Sequence, residues 1–303
     1  VAFSIFLQEF RILTTGQVAS QSWRLWPRAA VPRACPARIS KCGYRRIALA
    51  AAVRLYQLAA MTSPDPDRPL GAALADWRAP HRPGPSHIDG RYLRLERLVP
   101  ERHAPAIFAA TARDASSWDY MSNGPYGSVD ELQTWMEQAV QSDAVFYAFT
   151  DPVSGTAFGY ASFMRIDAAN GALEIGNVMI SPAAQRSRAA SEALMLMIGW
   201  AFGAGYRRVE WKCNALNAPS RRAARRYGFA FEGIFRNHMI LKSRNRDTAW
   251  YAMTDADWPA LAAAYAAWLA PANFDAEGRQ RDSLSDLTAP QRLRAEAEVA
   301  ALR

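Results

Sequence analysis

Along residues 173–231 the apolar positions change period twice. Ile175, Val178 and Ile180 fall in an apolar run that stops at Ser181 and Pro182, the pattern of a buried strand. After Gln185 the apolar residues recur at helical spacing through Ala193, Leu194, Met197, Ile198 and Phe202, until Gly203 and Gly205 end the helix. Residues 209–214 then resume an extended pattern. Two strands joined by a helix of this length are parallel with a right-handed crossover, so residues 181–190 stand at the carboxyl end of the first strand. The first N–H groups of a helix lack intrahelical partners and sit at the positive end of the peptide dipoles. Arg186 to Ala190 are therefore predicted to hold an anion such as a pyrophosphate.

Around this unit the pattern predicts further elements. Residues 90–98 alternate apolar and charged positions, as in a half-buried strand, and 100–112 read as a helix. An aromatic segment with Trp118, Tyr120 and Tyr126, broken by Gly124 and Pro125, leads to a capping box, Ser128 with Glu131. That box opens a helix with Leu132, Met136 and Ala139 on one face. Strands are predicted at 144–150 and 156–166, and Asn170-Gly171 makes the tight turn into the central strand. A hairpin follows, 229–241 with 248–253 across a loop at 243–247. Residues 255–269 are amphipathic, with Trp258, Leu261, Tyr265 and Trp268. Residues 287–303 have helical spacing but little to bury, and are expected to fray.

Charge divides the chain. Its 303 residues are half hydrophobic and carry a net charge of +8. Residues 1–60 hold nine Arg or Lys against one Glu, so of 36 basic and 28 acidic side chains, 27 of each remain in 61–303. The globular part is thus neutral, without the electrostatic footprint of a nucleic-acid binder. The first 60 residues are Arg-rich, acid-poor and aperiodic, and are expected to be disordered: either sequence upstream of a start at Met61, or a transit peptide. A Pro-rich leader, 61–87, is expected to wrap the domain, anchored by Trp77. Cys35, Cys42 and Cys213 give neither a disulfide framework nor metal-ligand spacing, which fits a reducing, cytoplasmic setting without a metal. No apolar run is long enough to predict a membrane span.

The residues that carry chemistry resemble a known family. Gln185-Arg186-Ser187-Arg188-Ala189-Ala190 is similar to the Q/R-x-x-G-x-G/A acyl-CoA loop of the GNAT N-acetyltransferases. Asn217-Ala218-Pro219-Ser220 followed by Tyr227-Gly228-Phe229, with Phe235-Arg236 and Arg246-Asp247-Thr248 beyond, resembles the RimJ/RimL-like branch over about residues 88–258. The resemblance implies a mixed α/β (α+β) fold with a mixed sheet of about six to seven strands, a splayed central parallel pair and flanking helices. Residues 259–303 would be a C-terminal helical extension, partly disordered. It further implies acetyl-CoA as co-substrate and an amine acceptor, a protein N-terminus or a small molecule, that attacks the thioester directly. A monomer or homodimer would suffice, without a specific nucleic acid or membrane partner.

Carried over residue by residue, the resemblance assigns the cofactor to Val178, Ile180, Gln185, Arg186, Ser187, Arg188, Ala189, Ala190 and Asn217. The backbone of Val178 to Ile180 would bond the pantetheine arm as an added strand would. Arg188 stands where the family usually has Gly; its guanidinium is expected to reach the phosphates. Most amines are protonated near neutral pH, so a carboxylate or a water chain ending on one is expected; Glu174, just before the splay, is the candidate, with a strand residue facing solvent as its alternative. For the departing thiolate, the family's tyrosine position is occupied by Ala224. Ser220 is the candidate donor, with a plain N-cap of a 221–226 helix as its alternative role. Those missing and altered residues leave a second possibility, an acyl-CoA-binding module without turnover.

Overall fold

The computed structural model describes residues 71–112 and 114–302. The expectations for residues 1–60, and for the leader as far as residue 70, lie outside them. The chain divides into the units Val1–Leu74 and Ala75–Arg303, and the second holds every strand and helix described. Eight strands run β1 (His87–Asp89), β2 (Arg94–Arg97), β3 (Val145–Thr150), β4 (Ala157–Asp167), β5 (Ala172–Ile180), β6 (Arg208–Asn214), β7 (Ala230–Leu241) and β8 (Arg244–Thr254). They form one sheet in the order β1-β2-β3-β4-β5-β6-β8-β7, in which only β5 and β6 are parallel neighbours. The helices are α1 (Pro100–Thr111), α2 (Val129–Val140), α3 (Arg188–Gly203), α4 (Ala218–Arg226), α5 (Trp258–Leu269) and α6 (Leu284–Ala301). The mixed α/β architecture is the expected one, with one or two strands more.

The pleat distributes the sheet's side chains to two cores. Leu173 and Ile175 of β5, Val209 and Trp211 of β6 and Tyr251 of β8 pack against Ala193, Leu194, Met197 and Ile198 of α3. On the opposite face, Phe146, Tyr160 and Met179 pack against Ile107 of α1 and Leu132 and Met136 of α2. Local signals place the connections. Ser187 caps α3 by accepting from the Ala190 N–H at 3.0 Å. At the other end, Gly205 has φ +93°, and the N–H groups of Gly205 and Tyr206 bond the Phe202 and Ala201 carbonyls, a Schellman closure. Trp77 donates its Nε1–H to the Ala169 carbonyl at 2.9 Å and covers Gly171, where a Cβ would come within 2.3 Å of the ring.

Three elements differ from the sequence expectations, each for a tertiary reason. Residues 90–98 are not one strand. Gly90 to Leu93 form a turn between β1 and β2, because the buried Glu192 carboxylate of α3 accepts from the Arg91 and Tyr92 N–H groups at 2.9 and 2.7 Å. The β7–β8 hairpin turns at Lys242 and Ser243, not across 243–247. Both residues are left-handed (φ 48° and 59°), the two-residue geometry that suits strand twist. The helix over 284–301 does find partners: Leu284, Thr288 and Ala295 are buried, the Thr288 hydroxyl donates to the Arg226 carbonyl at 3.0 Å, and Arg225 pairs with Glu296 at 3.2 Å.

Candidate active site

The centre of the sheet opens as a V. β5 and β6 pair at only three positions, Ala172 with Arg208, Leu173 with Val209 and Glu174 with Glu210. Beyond Glu174 each strand follows its antiparallel neighbour. β6 stays on β8 as far as Asn214 opposite Thr248, while β5 stays on β4 through a register shift. The shift is built at Asn177, which is left-handed (φ 52°) and donates through Nδ2 to Ser162 Oγ at 2.9 Å; that hydroxyl in turn donates to the Gly176 carbonyl at 3.3 Å. Such a bulge bends its strand, and β5 therefore leaves β6. Val178 and Ile180 lie on the free arm, and Glu174 at the apex.

The arm runs into the loop before α3. Ser181 N–H still bonds the Phe158 carbonyl at 3.0 Å, and Gln185 Nε2 reaches back to the Ile180 carbonyl at 3.3 Å. Arg186 is left-handed (φ 61°) and exposed, with no ion pair among the described residues. The first bond of α3 runs from Ser191 N–H to the Ser187 carbonyl, and Ala190 N–H is taken by the Ser187 hydroxyl. The N–H groups of Arg188 and Ala189 precede that bond, as helix starts require. An open cavity of about 610 Å³ lies beside the loop, lined among others by Tyr92, Phe158, Ser181, Ala184 and Ser187. Arg188 does something the sequence did not suggest. Its guanidinium lies between the Tyr92 ring at 4.8 Å and the Phe274 ring at 4.5 Å, tying the loop to the C-terminal extension.

Ser220 stands on the α3 side of β6. α4 begins two residues before it, and its N-cap is Asn217, whose Oδ1 accepts from the Ser220 N–H at 3.0 Å. The N-cap alternative for Ser220 is thereby replaced: Pro219 fits the first turn because it needs no N–H there. The Ser220 hydroxyl accepts from Trp211 Nε1 at 3.0 Å, and a hydroxyl that accepts keeps its own hydrogen for donation. Cys213 lies beside it. Burial pushes the Cys213 thiol pKa up, and the Ser220 hydrogen bond opposes the shift. Ala224 is fully buried. The arginines of α4 are engaged more than a solvated face would be. Arg221 bonds Tyr251 Oη at 3.3 Å, Arg225 pairs with Glu296, and Arg226 lies over Trp268 at 5.0 Å, while Arg222 is exposed.

On the other face, the apex carries a chain of ion pairs that sequence reasoning missed. Arg165 Nη1 meets Glu174 Oε2 at 2.6 Å, the same oxygen meets Lys212 Nζ at 3.1 Å, and Lys212 meets Glu210 at 2.6 Å. Arg208 continues it to Glu210 at 2.8 Å and Glu232 at 2.6 Å. The side chains of Glu174 and Lys212 are only 5% and 6% exposed, so the charges hold one another. Burial raises the Glu210 pKa, but hydrogen bonds from Lys212 and Arg208 outweigh it and leave the carboxyl below its ordinary value. The available signal was the alternation Arg208, Glu210, Lys212, charged at every second position of a strand central to the fold. A roof spans this face: Tyr120 donates to the Leu216 carbonyl at 3.3 Å and Lys242 Nζ to the Trp118 carbonyl at 2.8 Å. The aromatic segment thus bridges the two arms of the V.

A family model described as the acetyltransferase (GNAT) domain matches residues 92–230, the span from the β1–β2 turn through the V to the start of β7. A solved GCN5-related N-acetyltransferase of Brucella melitensis is 43% identical, with a TM-score of 0.69, over 71% of this chain and the whole of that one. The chain belongs to the GNAT acetyltransferases. A GNAT-family structure from Chromobacterium violaceum is 41% identical over 65% of this chain and all of its own, with a TM-score of 0.61. No curated protein matches. As a GNAT acetyltransferase the chain is an acetyl-CoA-dependent acyltransferase, and its residues would suit that co-substrate: β5 keeps the edge toward β6 free beyond Glu174, and the Arg188 and Ala189 N–H groups open α3 beside Arg186. No helix among the described residues is long and apolar enough to cross a membrane.

Proposed function

We propose that this GNAT acetyltransferase acetylates a primary amine, on a small molecule or a protein N-terminus, by direct attack within the V. The observation that carries the reading is the parting of β5 and β6 after Glu174, with different chemistry on its two faces. Acetyl-CoA supplies the activated acetyl group. Val178 to Ile180 bond its amide arm through the free strand edge, Gln185 to Ala190 shape the phosphate end, and Asn217, the N-cap of α4, fixes the loop that presents Ser220. Arg188, held between two rings, acts on that end mainly by fixing where α3 begins. Ser220, polarised by Trp211, donates to the departing thiolate from the α3 face. Glu174 receives the ammonium proton from the opposite face. Both of its cations bond Oε2, and Oε1, which faces Gly176, is the oxygen left to accept. Similarity of Asn217 to Ser220 to the RimJ/RimL-like branch favours this assignment of Ser220. The test is acetyl-CoA with a panel of primary amines and peptides, read by mass spectrometry for acetylated product and by free-thiol release. Binding of acetyl-CoA without product from any amine would refute it.

A further inference from the structure

The ion chain at the apex is balanced, and one cation beside it is left over. Arg165, Lys212 and Arg208 alternate with Glu174, Glu210 and Glu232, three charges of each sign. Arg246 of β8 adds a fourth positive charge. It is half-buried, makes no ion pair among the described residues, and its Nε is buried without an acceptor. Burial pushes the guanidinium pKa below its ordinary value; Cys213 and Glu174 offset this in part, and Arg165 adds to it. A buried donor without a partner is costly, more so when charged, and a group from outside the chain, a water or a ligand, can complete it.

The position says what that is. Along β8, Ala249, Tyr251 and Met253 point into the α3 core, so Arg246, Thr248 and Trp250 share the face that carries Glu174 and the ion chain. Trp250 Nε1 is a second buried donor without an acceptor on this face. Around them Phe235 packs on Trp250 at 4.5 Å, Lys212 Nζ lies 4.0 Å from the Trp250 ring, and His238 bonds Thr248 at 2.9 Å.

We infer that Arg246 is a specificity residue that binds a carboxylate of the acceptor, so that the acceptors are amines bearing a carboxylate, such as amino acids. A carboxylate sets one negative charge against this guanidinium, whereas a phosphate dianion would set a second on the face that carries Glu174. The planar guanidinium offers the paired N–H groups that a carboxylate accepts. The inference rests on the proposed acetylation of amines and deepens it.

The test compares L-amino acids with their carboxamides, in wild-type protein and in Arg246→Gln, by two readouts: free-thiol release with acetyl-CoA, and tryptophan fluorescence titration with CoA present, which needs no turnover. The carboxylates are expected to show a KM or Kd about ten- to hundredfold lower than the carboxamides, with kcat little changed. Arg246→Gln should erase that preference and leave the carboxamides unaffected, and Arg246→Lys should restore part of it. Equal affinity of wild-type protein for carboxylates and carboxamides overturns the inference, even if carboxamides are acetylated. A fluorescence preference that depends on Arg246 without any product upholds it, and faults the acetylation reading instead.

Discussion

On one side of β6 stand Val209, Trp211 and Cys213; on the other, one residue away in each case, stand Arg208, Glu210 and Lys212. The first set faces α3 and is dry, aromatic and interlocked. The second is a file of ion pairs beneath an aromatic roof. A pleated strand sends successive side chains to opposite faces, so one strand can wall two chemistries with no added chain. Because the sheet opens beside β6, the two environments meet in the V. Under the proposed function one side faces the thioester and the other the amine.

The largest expected effect breaks the ionic side. Lys212→Met leaves Glu174 and Glu210 buried beside one another with one cation fewer, which should cost about 3–5 kcal/mol. At about 2–4 °C per kcal/mol for a domain of this size, the melting midpoint should fall by roughly 6–20 °C. A thermal melt checks it; a midpoint within a degree of wild type would mean that solvent, not Lys212, balances these carboxylates.

The same face should also be the pH-sensitive one. His103 of α1 is buried, and its Nδ1 accepts from the Val99 N–H at 3.0 Å, a bond that protonation at that atom would destroy. Burial, with Arg102 beside it, lowers its pKa from 6.5 to about 4. The unfolded chain therefore binds the proton first as pH falls, and stability is lost between about pH 6.5 and 4, by up to about 3 kcal/mol. Urea melts across that window should slope downward toward acid in wild type and flatten in a folded His103→Asn variant.

On the α3 face the sharpest change concerns rate, not folding. Ser220→Ala should lower kcat about a hundredfold while acetyl-CoA binding changes little, since the hydrogen bond matures as the thiolate leaves. Trp211→Phe, which keeps the ring but removes the N–H, should show a smaller loss in the same direction. Near-normal turnover in folded Ser220→Ala would take the residue out of the chemistry. The smallest effect is expected at the rim. Arg188→Gly removes the contacts to Tyr92 and Phe274 and should cost about 0.5–2 kcal/mol. Its CoA affinity by calorimetry should stay close to wild type; a tenfold loss would show that the guanidinium leaves the rings for the phosphates.

Much of this protein was decided by local pattern. The apolar run to Ile180, the helical spacing from Ala193 to Phe202 and the glycine that closes α3 are short-range signals, and each element stands where its pattern put it. The cap at Ser187 and the turn at Gly171 are similarly local chemistry. Other features exist only because distant segments meet. The turn at Gly90 depends on Glu192, a hundred residues away, and the fate of Arg188 depends on Phe274. The order of α6 depends on Arg225 and on the Arg226 carbonyl. The ion chain draws on β4, β5, β6 and β7, and Arg246 stands apart from it, with no ion pair among the described residues. Periodicity reports which face of an element is buried, but it carries no information about what the other side of that burial is. Charge pairing across a sheet is therefore settled by strand order and register, and those emerge only in the assembled fold.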